Sequence, residues 1–136
     1  MPTNSDVIRA FVDALNAHDW DALDRLVAPD FVRHSAAAGK PGVRSRDDLK
    51  AYLRRELETF PDAREEILDI FGERDRVAVR HRFSGTQRGR LGPHPATDRR
   101  MTSEYLAIYR LESGLIVEAW AEWDNASSLR QLGLVE

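Results

Sequence analysis

Near the C-terminus the chain reads IVEAWAEWDNASSLRQLG, from Ile116 to Gly133. Taken as a strand, the alternation puts Glu118, Trp120, Glu122 and Asp124 on one face, and Val117, Ala119, Ala121 and Trp123 on the other. The second set is an ordinary core face. The first is unusual, because a carboxyl group is costly to bury and an indole is wasted in water. Three acids around a Trp suit either a solvated face or the wall of a pocket. A carboxyl group pressed against an indole loses solvation of its charged form, and its pKa rises towards neutral. It can then take a proton from a carbon beside a carbonyl and return one to an alkoxide. Asp124 is the residue best placed for that work. It also stands where an Asp commonly caps a following helix, here NASSLRQLG, and the two roles are compatible. Glu118 and Glu122 read more simply as partners of Arg residues.

Other chemistry-bearing residues are scattered. His34 ends the run DFVRH, and a neutral imidazole both donates and accepts hydrogen bonds. His81, in VAVRHRF, is in phase with Val77, Val79 and Phe83, which half-buries it in the core or on a cavity wall. Glu104 and Arg110 lie on the strand expected beside that of Asp124, as sources of a second acidic or basic group. The histidines His18, His34, His81 and His94 offer no pair at helical ligand spacing, and no segment supplies a His and carboxylate cluster, so no metal centre is expected. The segment TQRGRLGPHPATDRR is locally basic through Arg88, Arg90, Arg99 and Arg100, and reads as a solvated loop or a lid.

These groups must be positioned by elements whose periods are clear. NSDVIRAFVDALNAHD carries Val7, Ile8, Phe11, Val12 and Leu15 at helical spacing, with Asn4 and Ser5 as possible caps. A short second helix runs through Trp20, Leu23 and Leu26 and is broken at Pro29. A loop, AAAGKPGV, leads to Ser45, which with Asp48 forms a capping-box variant ahead of Leu49, Tyr52, Leu53, Leu57 and Phe60. Tyr52 and Trp20 belong to apolar helical stripes, which serve packing first. The period then changes to alternation: REEILDIFG, RVAVRHRFSG, RRMTSEYLAIYRL and the opening stretch make four consecutive strands of an antiparallel meander. Helices first and sheet afterwards is the α+β class, in which a curved sheet over helices leaves room for a ligand.

Composition sets the outer limits. With 136 residues, 42% hydrophobic and 32% charged, the chain reads as a single soluble globular domain over 1–136. Cysteine is absent, which excludes disulfides, thiolate metal sites and a Cys nucleophile. The 23 acidic and 20 basic residues are interspersed, so no broad patch for nucleic acid is expected. No apolar run approaches the ~20 residues of a membrane span, and MPTNSDVIRA lacks the features of a signal peptide; a cytoplasmic location without a membrane partner is the expectation.

The order of elements, the FVRH after the second helix, the SGTQRG ending one strand and above all GLIVEAWAEWDNASSLRQLG resemble the SnoaL-like polyketide cyclases of the nuclear transport factor 2-like superfamily. The resemblance runs from Val7 to Gly133. It implies a cone-shaped α+β fold, with a curved antiparallel sheet packed on three N-terminal helices. It also implies ring closure of a polyketide-like substrate by intramolecular aldol condensation, with no cofactor or metal and a carboxylic general acid/base. The matching carboxylate is Asp124. The chain departs from the family at His81, where an aromatic residue is common, and at Gln87, where a His is common. The superfamily also includes isomerases, dehydratases, epoxide hydrolases and non-catalytic ligand binders. The expected site therefore has Asp124 as acid/base assisted by His34, with Trp120, His81, Tyr52, Phe31 and Glu104 against a hydrophobic, carbonyl-rich small molecule. A homodimer through the sheet is expected to cover Tyr105, Tyr109 or Trp123 on its outer face.

Overall fold

The computed structural model describes residues 2–40 and 42–135; Pro41, in the loop expected from Ala36 to Val43, lies outside the described residues. Helix α1 (Asn4–Ala17) is capped by Thr3, one residue before the expected caps Asn4 and Ser5, which lie within the helix. Thr3 Oγ1 accepts from Asp6 N at 3.1 Å, and Asp6 accepts in return from Thr3 N at 2.9 Å. Helix α2 (Trp20–Leu26) is capped by Asp19 and runs directly into strand β1 (Val27–His34). Pro29 is tolerated within β1 because the strand lies at a sheet edge, where a missing donor need not break a ladder. Helix α3 (Arg46–Thr59) starts as its sequence suggests, with Ser45 Oγ accepting from Asp48 N at 3.0 Å.

Strands β2 (Arg64–Glu73), β3 (Arg76–Thr86), β4 (Arg100–Glu112) and β5 (Leu115–Glu122) form the expected meander, followed by helix α4 (Asn125–Gln131). At the β4–β5 turn Ser113 and Gly114 both take positive φ, 50° and 79°, as a two-residue turn matching strand twist requires. The sheet order is β1-β5-β4-β3-β2. One correction to the sequence reading is that β1 pairs parallel to β5, so the sheet is mixed. The chain leaves β1 through α3 and three strands before β5 returns beside it in the same direction.

Register shifts in β2 between Ile67 and Asp69, and in the β4–β5 ladder between Arg110 and Leu111, bend the sheet. The result is a curved, unclosed sheet with helices on its concave face. Val7, Ile8, Phe11 and Val12 of α1 pack there on Val77, Val79, Ala107, Leu111 and Ile116. A second cluster of Phe60, Phe83, Met101 and Leu132 closes the far end. Gln131 fixes α4 to β4 by accepting from Thr102 N at 2.8 Å and donating to Thr102 O at 2.9 Å. No helix among the described residues is long and apolar enough to cross a membrane.

Candidate active site: an acidic cavity behind the sheet

The concave face is not filled. Between it and helices α1, α3 and α4 lies a cavity of about 390 Å³, within the range of small-molecule sites. Its walls are mostly apolar, with Phe11, Phe31, Leu49, Phe83 and Met101 among them. The inner residues of β5 are Ala119, Ala121 and, just beyond the strand, Trp123. The two alanines make the space, because larger side chains there would occupy it.

Two carboxyl groups face this cavity, Glu56 from α3 and Glu65 from β2. Burial pushes the Glu56 carboxyl up to about 7, while the Arg33 cation pulls it partly back. Glu65 is held well above the usual carboxylate range, first by burial and then by the charge of Glu56. Tyr105 Oη donates to Glu65 Oε1 at 2.8 Å. Glu65 Oε2 lies 3.5 Å from His81 Nδ1, and His81 Nε2 is 2.8 Å from Tyr109 Oη. The His81 ring is fully buried and stacks on Tyr105 at 4.5 Å between centroids. Burial lowers its pKa to about 4, so the imidazole is neutral near physiological pH. Burial likewise keeps the Tyr52, Tyr105 and Tyr109 phenols protonated. The cavity thus joins a carboxyl near its midpoint at neutrality, a second carboxyl that favours its proton, and a phenol–carboxyl–imidazole–phenol chain. That set can take up and release protons in an apolar space.

The face of β5 expected to form the pocket is instead the outer one. Glu118 Oε1 accepts from Arg110 Nε at 2.9 Å, and its Oε2 pairs with His34 Nε2 at 2.6 Å. Arg110 and then His34 hold this carboxyl below its ordinary range. Trp120 is covered on the outside by the stacked His34 ring, at 5.4 Å between centroids, and by Arg76, 4.9 Å from its ring. Glu122 Oε1 accepts from Ala36 N at 2.7 Å and anchors the loop after β1. Asp124 caps α4, accepting from Ser127 N at 3.0 Å, with its side chain exposed outside the cavity. Glu104 also points outward, to Arg80 at 2.7 Å and Arg82 at 3.8 Å. Of the expected residues, Phe31 and Tyr52 line the cavity and His81 lies immediately behind its wall. Asp124, His34, Trp120 and Glu104 do not meet them.

Glu56, Glu65 and Arg33 were not among the expected residues, although each carries a signal in the sequence. Glu56 falls seven residues after Leu49, within the apolar stripe of α3, and Glu65 falls in the inward phase of β2 with Ile67. Arg33 shares its face with Phe31, whereas His34 points the other way. Among the described residues no three His, Asp or Glu side chains are grouped to hold a metal ion.

The model of the SnoaL-like polyketide cyclases matches residues 5–132. The chain belongs to that family. Among solved structures, this SnoaL-like chain is similar to IdmH of Streptomyces antibioticus, a polyketide cyclase by assignment. The TM-score is 0.85 and the identity 33%, covering 97% of this chain and 99% of that one. TsrD of Streptomyces laurentii matches at 0.85 and 28%, covering 99% of both chains. AclR of Streptomyces galilaeus, a hydroxylase by assignment, matches at 0.83 and 26%, covering 98% of this chain and 97% of that one. No curated protein matches.

Proposed function

We propose that this SnoaL-like protein closes a ring in a hydrophobic, carbonyl-rich small molecule by aldol-type condensation, with carboxyl groups of the cavity moving the protons. The observation that carries this reading is the pair Glu56 and Glu65, both raised in pKa, facing one apolar cavity. Ionised Glu56 removes a proton from a carbon beside one carbonyl. The enolate attacks a second carbonyl of the same molecule, and neutral Glu65 delivers a proton to the new alkoxide. Proton exchange between the two carboxyls restores the starting state, so no cofactor is consumed. Asp124, whose position matches the family's carboxylate, keeps its capping role in this scheme.

The test is ring closure of a linear diketone probe, followed by absorbance of the enone formed on loss of water. Wild type should turn the probe over, and the double variant E56Q/E65Q should not. Full turnover by the double variant would refute the assignment.

The protein also acts, in our reading, as a homodimer through the outer sheet face. Tyr105, Tyr109 and Trp123, expected outside, are turned inward, because they share the strand phase of Ala107, Ala119 and Ala121. A different apolar row crosses the outer face: Phe71, Ala78, Ile108 and Trp120 are successive cross-strand partners. Ile108 is 43% exposed and Phe71 69%. The flanking rows mix Arg76, Arg110 and Glu118 on one side with Asp69, Arg80 and Glu122 on the other, which suits a two-fold contact of a patch with itself.

A further inference from the structure

Arg33 is the one cation among the residues lining the cavity. Its guanidinium lies 4.1 Å from the Tyr52 ring centre and 5.7 Å from that of Trp123. No carboxylate comes within ion-pair distance of it among the described residues. Its Nε is buried and has no acceptor. A cation with no ion-pair contact beside apolar walls is costly to keep, and neither stacking on an aromatic face nor the more distant Glu56 recovers all of that cost. Stacking uses the face of the guanidinium, and on its edge the buried Nε still lacks an acceptor, which a planar pair of oxygens could supply. The residue opposite Arg33 in the parallel β1–β5 pairing is Ala119, so the sheet leaves space beside it.

We infer that the substrate carries an anionic pair of oxygens, a carboxylate or the enolate of a β-dicarbonyl, which Arg33 binds through the edge of its guanidinium. The inference rests on the cavity being the substrate site, as proposed above. An anion seated there fixes which carbonyl carbon lies against Glu56 and Glu65. Arg33 is then the residue that selects acidic substrates over neutral ones of the same shape.

The experiment measures binding of three probes by quenching of tryptophan fluorescence: naphthoate, its neutral methyl ester, and a naphthyl-substituted cyclic β-dione that is ionised in mildly alkaline buffer. Wild type should bind at least one anion on the order of tenfold more tightly than the ester. Arg33→Met should abolish that preference, and Arg33→Lys, which keeps charge but not the planar fork, should retain part of it. The tighter of the two anions identifies the headgroup. Ala121→Leu, which fills the cavity, should weaken all three probes and so locate them. Equal binding of ester and anions by wild type, or a preference that survives in Arg33→Met, overturns the inference and leaves the cavity reading intact. If no probe binds wild type, or Ala121→Leu weakens none, the cavity reading falls and this inference with it. Should Arg33→Met fail to fold, Arg33→Lys decides: undiminished preference for the anion in that variant refutes recognition by the fork.

Discussion

Glu65 Oε2 and His81 Nδ1 face each other across 3.5 Å, both sealed from solvent and neither with another hydrogen-bond partner. One proton placed between them serves both atoms, and two further contacts extend the chain to Tyr105 and Tyr109. Replacing Glu65 by Gln keeps an acceptor for Tyr105 and removes the exchangeable proton. Ring closure should fall on the order of 100-fold while the thermal midpoint changes little. Replacing His81 by Phe keeps the stack on Tyr105 but leaves the Tyr109 hydroxyl and Glu65 without their partner. Denaturant titration should show a loss of about 1–3 kcal/mol.

Asp124 provides the contrasting case. Asn caps helices as well as Asp does, so Asp124→Asn should retain both stability and turnover within about a factor of two, whereas Asp124→Ala should cost about 1 kcal/mol through the lost cap. A collapse of turnover in Asp124→Asn with an unchanged melting temperature would return the general acid/base role to Asp124.

Glu56 predicts an unusual pH dependence of stability. Its folded pKa of about 7 lies above its ordinary 4.5, so between those values the folded state holds the extra proton. Stability from this group is therefore greatest below the lower value and is lost as pH rises towards the upper one. His81 acts oppositely: lowered from 6.5 to about 4, it destabilises as pH falls through that interval. The Glu56→Gln variant should lose the Glu56 share of the first trend, keeping that of buried Glu65, and retain the second. Relative to wild type, its melting temperature should rise steadily from pH 4.5 to 7 and then level off. A constant difference across that window would show that Glu56 does not titrate as described.

Ile108→Glu places a charge in the middle of the outer apolar row, between Ala78 and Trp120. Sedimentation should give a dimer for wild type at micromolar concentration and a monomer for the variant, with the cavity still binding its ligand. A wild-type monomer at that concentration would remove the proposed interface.

Much of the fold was legible because it depends on local signals. Ser45 capped its helix as its spacing indicated, and the change of period after Pro61 marked the start of the meander. On β5 the two faces were divided correctly but their roles were exchanged. Carboxylates and a Trp suggest a site when viewed alone. Their partners, Arg110, His34 and Arg76, come from other strands that the local pattern does not show. The alanines opposite them look like ordinary core, yet a cavity is a deficit of volume, and a deficit has no residue type to announce it. Glu56 and Glu65 were legible only as acids out of place in apolar phases. What raises their pKa is burial, joined for Glu65 by the charge of Glu56, and neither exists until α3 and β2 meet around the cavity.

The alanines of β5 also separate two properties that many sites combine. The groups proposed to handle protons come from α3, β2 and β3, whereas the depth of the space is set at positions 119 and 121 of a different strand. A family built this way can change the size or curvature of the molecule it accepts by exchanging one small side chain for another, without disturbing the acids that do the work. On the proposed reaction, randomising those two positions first would change which molecules fit while leaving Glu56 and Glu65 in place.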